Sequence, residues 1–188
     1  MSGRVLPRAF YARPAHVVAP DLLGRDLTAA GPRGTRLVAR IVETEAYGPH
    51  DPASHAFRGR TRRNASMFGP PGRLYVYFTY GMHWCANVVT GREGEGSAVL
   101  LRAAVPLEGL AVMARRRGRD APRDLCSGPA KLTQAFGIDG SLDGEDLLRV
   151  TVRIAAGTPA PRGAVRRGPR IGISRATDVP WRFVLDER

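Results

Sequence analysis

The chain has 188 residues, 43% of them apolar and 24% charged, a length and composition typical of one globular domain with a substantial core. Its net charge of +12 favours an acidic partner, with nucleic acid as the first candidate and a merely solvated basic face as the alternative. Two cysteines without C-x-x-C spacing exclude a disulfide framework or zinc ribbon, and with no apparent signal peptide or membrane-spanning apolar run we expect a cytoplasmic protein.

The first predicted elements are a short helix and a β-hairpin. Residues 14–23 carry four apolar side chains at helical spacing. Residues 25–30 and 35–47 read as strands on either side of the turn-rich 31–34, which predicts a hairpin. The polar stretch 48–72 then predicts a long surface connection, and such connections in compact domains are usually functional.

The middle of the chain predicts the centre of a sheet. Residues 73–79 and 83–89 form a second strand pair around the turn 80–82, and residues 97–105 supply a third, strongly apolar strand.

The last third predicts two helices and further strands. Pro106 leads into a helical segment that ends near residue 117, and a second helix has Ser127 as candidate N-cap and Gly137 as C-terminal stop. The remaining strand candidates are 147–154, 169–174 and 181–186. No internal repeat or linker divides the sequence, and we expect an α+β fold in a single domain, 1–188.

A possible catalytic carboxylate lies in the long predicted strand. Strict alternation along this strand puts two glutamates and a tyrosine on the same face as three apolar residues: Leu37, Ala39, Ile41, Glu43, Glu45 and Tyr47. A carboxylate next to apolar and aromatic groups is a usable general base or acid. The alternative is that both glutamates are exposed at a strand end, and alternation alone does not choose between Glu43 and Glu45.

Aromatic residues cluster in the second hairpin. Tyr75 and Tyr77 share one strand face, where they could fill the core or stack against an extruded base. Tyr80 and Met82 lie at the turn around Gly81, where there is little core to fill. Proteins that distort DNA insert such side chains between base steps, and a rigid turn is a suitable mount.

The connecting stretch contains a histidine cluster that only weakly suggests a metal site. His50, Asp51 and His55 lie on an irregular loop and lack a third spaced ligand, so we predict no metal and no cofactor. His55, directly before the arginine cluster, is better suited to donate one hydrogen bond to a ligand. Cys85 and Cys126 are interpreted as buried thiols.

Several long motifs together resemble one family. The string VETEAYGPHDPASHAFRGRTRRNASMF, followed by PGRLYVYFTYGMHWCANVV, VLLRAAVPLEG and DLCSGPAKLTQAFGI, resembles the alkyladenine or 3-methyladenine DNA glycosylase family. Weaker similarity continues through RRGPRIGIS and PWRF, so the resemblance covers nearly the whole chain in one order. It implies a curved antiparallel sheet with surrounding short helices and a protruding β-hairpin that intercalates into DNA.

The resemblance also implies a reaction in base-excision repair. Glu45 would deprotonate the water that attacks the anomeric carbon of an extruded nucleotide, Arg102 would lie near that water, and Glu43 would be a supporting residue. Lys131 is the sole lysine, so we expect hydrolysis that leaves an abasic site, without Schiff-base strand cleavage. The implied substrates are alkylated or deaminated purines, namely 3-methyladenine, 7-methylguanine, hypoxanthine and ethenoadenine.

The same resemblance assigns the residues that bind the base. Tyr47 and Tyr77 would sandwich it, His55 would hydrogen-bond near the sugar, and Asn87 would clash with the amino group of normal guanine. Tyr80 would fill the vacated stack. This sequence has one residue fewer between the glutamate and His55 than the vertebrate members, which leaves open whether His55 keeps that position.

The expected partner is double-stranded DNA with damaged purines, bound by a monomer that needs no membrane. Phosphate contacts would come from the arginines of the long connection and from the 115–119 run; the former are Arg58, Arg60, Arg62 and Arg63. One rival is a module that recognises distorted DNA without chemistry. Another, an RNA-modifying or acyl-transfer enzyme, would need a Gly-rich cofactor loop that the sequence lacks.

Overall fold

The computed structural model describes residues 3–149 and 151–186. The helices are Arg8–Tyr11 (α1), Ala15–Asp21 (α2), Leu110–Arg117 (α3), Pro122–Leu125 (α4) and Pro129–Phe136 (α5). The strands are Asp26–Ala30 (β1), Arg36–Tyr47 (β2), Leu74–Thr79 (β3), His83–Thr90 (β4), Ser97–Glu108 (β5), Val152–Ala155 (β6), Val165–Gly168 (β7) and Arg182–Leu185 (β8). Within these ranges no helix has the length and apolar character to cross a membrane.

All strands join one antiparallel sheet that curls into a half-barrel in the order β3-β4-β5-β2-β1-β6. The long strand β2 is its centre, because it pairs with β5 along one edge and with β1 and then β8 along the other. Both predicted hairpins are present. The α+β prediction is confirmed.

A β-bulge in β2 changes which face its side chains occupy. Ile41 is opposite Ala104 and Glu43 is opposite Ala103, so Val42 is an extra residue without a partner of its own. Because side chains alternate between the two faces, one inserted residue moves every later side chain to the other face.

The prediction that the glutamates continue the apolar face is therefore wrong. The helix-covered face of β2 carries Leu37, Ala39, Ile41, Thr44 and Ala46. The opposite face carries Glu43, Glu45 and Tyr47. Strict alternation held only as far as the bulge, and the two glutamates and Tyr47 lie on the face away from the main core.

The main core fills the space between this sheet and helices α2, α3 and α5. Val18 and Ala19 of α2, Met113 of α3 and Leu101 of β5 are fully buried there. The hydroxyl of Thr44 donates to the Ala19 carbonyl at 2.9 Å, which ties β2 to α2. Helix α2 confirms the first predicted element.

A smaller apolar cluster lies on the opposite face, beneath the connection 48–72. It consists of Ala56, Met67, Tyr75, Val89 and Ala98. The connection is irregular apart from a short 3-10 turn at Ala65–Phe68, as the sequence predicts. Asn64 closes the loop on itself, since its side-chain amide donates to the carbonyls of His55 and Gly59.

Two predicted helix starts are corrected. Pro106 remains in β5, at a point where the pairing with β2 is already irregular and a missing N–H is tolerated, and α3 begins only after Gly109. Gly128, not Ser127, precedes α5, and no side chain caps this helix. The Gly137 stop is confirmed, with a φ of 69° in the left-handed region that glycine favours.

The C-terminal strands differ most from prediction. Only the end of 147–154 is a strand, from Val152, and Val150 lies outside the described residues. Segment 169–174 is an irregular loop, because the backbone N–H of Ile171 bonds to a side chain rather than to a neighbouring strand. The unpredicted β7 precedes it, and the strand in 181–186 is confirmed as β8.

Candidate active site

A cavity of about 680 Å³ opens on the face of the sheet away from the helices. Its walls come from strands β2 to β5, from residues 52–58 of the long connection and from residues 171–175. This volume lies within the usual range for a site that holds a small planar ligand. We call it the pocket.

The strand register places the floor of the pocket. Tyr75, Asn87, Leu100 and Glu45 are successive partners across β3, β4, β5 and β2, so their side chains project from the same face in one row. Residues from four strands thereby meet beneath one opening.

The Glu45 carboxylate is completely buried and held by two hydrogen bonds and one ion pair. One oxygen, Oε1, accepts the backbone N–H of Ile171 at 2.8 Å and lies 3.3 Å from Nη1 of Arg102. The other, Oε2, accepts the hydroxyl of Tyr47 at 2.8 Å. A buried carboxylate requires such partners, and together they hold it in one orientation.

Glu43 has a different task. Its Oε1 accepts Nε of Arg102 at 2.9 Å and Nε of Arg182 at 2.6 Å, which links β2 to β5 and β8. Arg102 therefore bonds to both glutamates and lines the pocket wall. The two carboxylates therefore have different partners, a distinction that strict alternation along the strand could not make.

Tyr47 acts as a permanent hydrogen-bond donor to Glu45. Burial raises the pKa of the Tyr47 hydroxyl far above its usual range, and the neighbouring Glu45 raises it further. The phenol therefore stays protonated at neutral pH. Its ring lines the pocket.

His55 reaches the pocket despite the shorter loop. Its Nδ1 lies 2.8 Å from the hydroxyl of Tyr75, and its ring meets Tyr77 edge-on at 4.6 Å. Desolvation lowers the pKa of the imidazole, with Arg63 adding to the effect, so His55 is neutral at pH 7. Burial raises the pKa of Tyr75 to about 12, which keeps that phenol protonated.

Tyr75, like Tyr77, is a site residue for which the sequence left two interpretations. Its ring is almost fully buried in the smaller cluster and stacks on Tyr77 with centroids 5.4 Å apart, so the core interpretation is confirmed. Its hydroxyl nevertheless orients His55. Tyr75 lies two residues before Tyr77 and follows a loop that contains a histidine. This pattern is the signal in the sequence that could have indicated the contact with His55.

The remaining floor residues come from β3 and β4. Tyr77 and Cys85 are register partners, and burial raises the pKa of both side chains. Asn87 donates from Nδ2 to the Tyr75 carbonyl at 3.1 Å, which fixes the orientation of its amide. Cys85 and Cys126 are free and buried, as predicted.

Tyr80 projects from the tip of the β3–β4 hairpin and is 80% exposed. Tyr80 and Gly81 have φ values of 52° and 67°, and the Met82 N–H donates to the Thr79 carbonyl at 3.2 Å. A non-glycine residue is rare in this left-handed region, so the turn holds a large aromatic in a strained, outward position.

The predicted phosphate-binding arginines of the long connection are all exposed: Arg58, Arg60, Arg62 and Arg63. Arg58 lines the pocket, and Arg63 donates to the Phe78 carbonyl at 3.0 Å, which joins the loop to the hairpin. The run 115–119, also predicted to contact phosphates, is only partly available for this, because Arg116 and Arg117 bond to Ala135 and Gln134 of α5.

The sequence did not indicate one buried contact near the site. Asp51 pairs with Arg170, which lies 119 residues later, and both side chains are buried. Two residues of the cluster that weakly suggested a metal site contact protein side chains: Asp51 pairs with Arg170, and His55 contacts Tyr75. Nothing in the local sequence marks a contact between such distant segments.

Fold and site together define the class: a basic α+β protein whose curled sheet holds a buried carboxylate behind the lining of an aromatic pocket, beside an exposed tyrosine on a tight turn. The sequence profile described as Methylpurine-DNA glycosylase (MPG) matches residues 9–188. The chain therefore belongs to the methylpurine-DNA glycosylase family, a family of DNA-repair hydrolases, as its motifs predicted.

Similar proteins occur in several bacteria. A relative from Burkholderia lata is 55% identical over 96% of this chain and 87% of its own length. One from Rhodopseudomonas palustris is 51% identical over 97% and 88%, and one from Carboxydothermus hydrogenoformans is 50% identical over 96% and 95%. All three carry the provisional name 3-methyladenine DNA glycosylase.

Proposed function

We propose that this DNA glycosylase extrudes a damaged purine from duplex DNA and hydrolyses its bond to the sugar, with Glu45 as the general base. The observation that carries the proposal is the Glu45 carboxylate, buried beneath the pocket and oriented by Ile171, Arg102 and Tyr47. A fixed carboxylate beside a flat aromatic cavity suits water activation next to a bound base.

In the proposed reaction, the water oxygen bonds to C1′ of the extruded nucleotide while Glu45 takes the water proton. The C1′–N9 bond breaks, and its electron pair leaves with the purine. The products are the free base and an abasic sugar that carries the new hydroxyl. A purine methylated at N3 or N7 is cationic before cleavage and leaves as a neutral base, so no separate acid is required and one carboxylate suffices.

The pocket residues suit such a base. Tyr47 and Tyr77 offer electron-rich faces that attract a cationic ring, worth about 0.5–2 kcal/mol. Neutral His55, oriented by Tyr75, presents its other ring nitrogen for a hydrogen bond. Asn87 lies on the floor, where its fixed amide would disfavour the amino group of normal guanine. Candidate substrates are the cationic 3-methyladenine and 7-methylguanine, together with hypoxanthine and ethenoadenine, which are neutral and would need a proton from solvent to leave as neutral bases.

DNA would be held at the rim of the pocket. Tyr80, strained and exposed, is placed to fill the gap that an extruded nucleotide leaves in the stack. The exposed arginines of the long connection would neutralise phosphates nearby. The link between Arg63 and Phe78 would keep these two DNA-binding features together.

The reaction is proposed to end at the abasic site. Strand cleavage through a Schiff base needs an amine, and Lys131, the sole lysine of the chain, donates its ammonium to Ser127 at 3.1 Å and does not line the pocket. We expect no β-elimination product in the same assays that detect base release.

The test is single-turnover base release from four duplexes, each with one of the candidate lesions. Wild-type protein should release at least one base, and Glu45→Gln should lower the rate constant by about 10²–10⁴-fold because it removes the proton acceptor.

Glu108→Gln removes the same charge at the far, exposed end of β5 and should retain the wild-type rate. Full activity of Glu45→Gln would overturn its assigned role. Tight lesion binding with no release of any base by the wild type would favour the binding-only alternative.

A further inference from the structure

A buried ion pair next to the pocket joins two segments that are far apart in sequence. Nη2 of Arg170 donates to Oδ1 of Asp51 at 3.0 Å, and Nη1 donates to Oδ2. Nη1 also donates to the Ala46 carbonyl at 2.9 Å. The side chains are 0% and 2% exposed, so one guanidinium joins β2, the long connection and the C-terminal loop in a dry environment.

Arg170 also contacts the aromatic ring next to Glu45. Its guanidinium carbon lies 4.8 Å from the ring centre of Tyr47 and 5.5 Å from that of Trp181. Tyr47 in turn donates its hydroxyl to Glu45. One of the three groups that hold the carboxylate is therefore packed directly on Arg170.

A second of those groups follows Arg170 in the chain. The backbone N–H of Ile171 is the donor to Oε1 of Glu45 at 2.8 Å. The loop that carries it has no strand partner, and the Ile171 side chain is 50% exposed, so apolar packing contributes little to holding this amide in place. The anchored Arg170 side chain restrains the position of the next N–H.

We propose that Asp51 and Arg170 are positioning residues that fix the Glu45 carboxylate and the Tyr47 phenol in their reactive orientation. This inference rests on the proposed function. Neither residue touches the substrate. The pair acts by docking the 170–175 wall of the pocket onto β2, and a displacement of about 1 Å in such a constellation is enough to slow a reaction on the order of a hundredfold.

The experiment compares the single-turnover rate constant for base release with the affinity for lesion-free duplex in Asp51→Asn and Arg170→Gln. Both should release base about ten- to hundredfold more slowly and bind lesion-free DNA within about twofold of wild type. A pair that only stabilised the fold would leave the rate constant of the folded fraction unchanged, so circular dichroism at the assay temperature is measured for each variant.

Single variants leave one buried charge unpaired and could unfold, so the double variant Asp51→Asn with Arg170→Gln is included. It has no unpaired charge, and it should be no slower than the slower single variant because the two residues act as a unit. Asp26→Asn breaks a partly exposed ion pair away from the pocket, between Asp26 of β1 and Arg40 of β2, and should retain the wild-type rate.

A wild-type rate in the folded double variant would overturn the inference. Its failure is distinguishable from failure of the proposed function: the former leaves an active wild type and an inactive Glu45→Gln, whereas the latter leaves no base release or no dependence on Glu45. A loss of duplex affinity equal to the loss of rate would assign the pair to DNA binding and likewise overturn the inference.

Discussion

The two faces of the sheet are built from the same strands but are held together by different forces. On the helix-covered face, Leu101 and Ile41 lie in a continuous aliphatic core against α2 and α3. On the pocket face, the neighbouring Arg102 and Glu43 are joined by hydrogen bonds and ion pairs. The stabilisation from buried aliphatic side chains grows with buried area and has no preferred direction, whereas the strength of a hydrogen bond depends on its direction.

Because of this difference, neighbouring residues of one strand should contribute either to folding stability or to the reaction. A change on the helix-covered face should alter the free energy of unfolding and leave the reaction intact. A change on the pocket face should alter the reaction with a smaller effect on folding. The bulge at Val42 makes this division possible, because it turns the end of β2 away from the main core.

The largest expected effect on stability is that of Leu101→Ala. The side chain is completely buried in the main core, so its truncation should lower the free energy of unfolding by about 2–5 kcal/mol. Denaturant unfolding measures this change. At a temperature where the variant is folded, its single-turnover rate constant should equal that of wild type.

Leu100→Ala is the matched variant on the other face, since Leu100 pairs with Glu45 and lines the pocket. The cavity left by the truncation of Leu100 would join the pocket, which is already open. We therefore expect a smaller loss of folding stability than in Leu101→Ala, together with a slower reaction. If the two variants changed rate and stability in the same proportion, the division between the faces would be refuted.

A smaller effect is expected at the hairpin tip. Tyr80→Gly removes the wedge and the positive-φ strain together, so affinity for lesion-containing duplex should fall by about five- to hundredfold while thermal stability does not fall. Fluorescence anisotropy with lesion and lesion-free duplexes measures the ratio of affinities.

Arg33→Gly provides the control, because Arg33 has the same strained backbone, with a φ of 55°, in the β1–β2 turn at the other end of β2. It should leave the lesion-to-normal affinity ratio unchanged. An equal ratio in Tyr80→Gly and wild type would remove Tyr80 from lesion recognition.

The smallest expected effect is a pH dependence of stability from His55. Desolvation lowers the pKa of His55 in the folded protein below its ordinary value of about 6.5. Below that pH, His55 therefore binds a proton more readily in the unfolded chain than in the folded one. Stability should be complete above that pH and decline as pH falls. Thermal unfolding between pH 7.5 and 5 should show a steeper decline for wild type than for His55→Gln, and equal declines would contradict this.

Most of the sheet could be predicted from local pattern. β-branched and aromatic runs bounded by glycine located β1 to β5, and Gly137 ended α5 as expected. Errors fell where a partner distant in sequence overrode the local signal. Segment 169–174 has the composition of a strand, yet the N–H of Ile171 bonds to Glu45 and the side chain of Arg170 to Asp51.

The sequence by itself determined the fold class, the two hairpins and the family, because these depend on short-range patterns and long ordered strings; the proposal of Glu45 as the general base comes from the same motifs. Tertiary structure alone decided that Glu45 faces the pocket rather than the main core, that the shorter loop still brings His55 to Tyr75, and that Asp51 meets Arg170. A bulge and a buried ion pair are set by the competition among distant segments for pairing and burial, and no local pattern records its outcome.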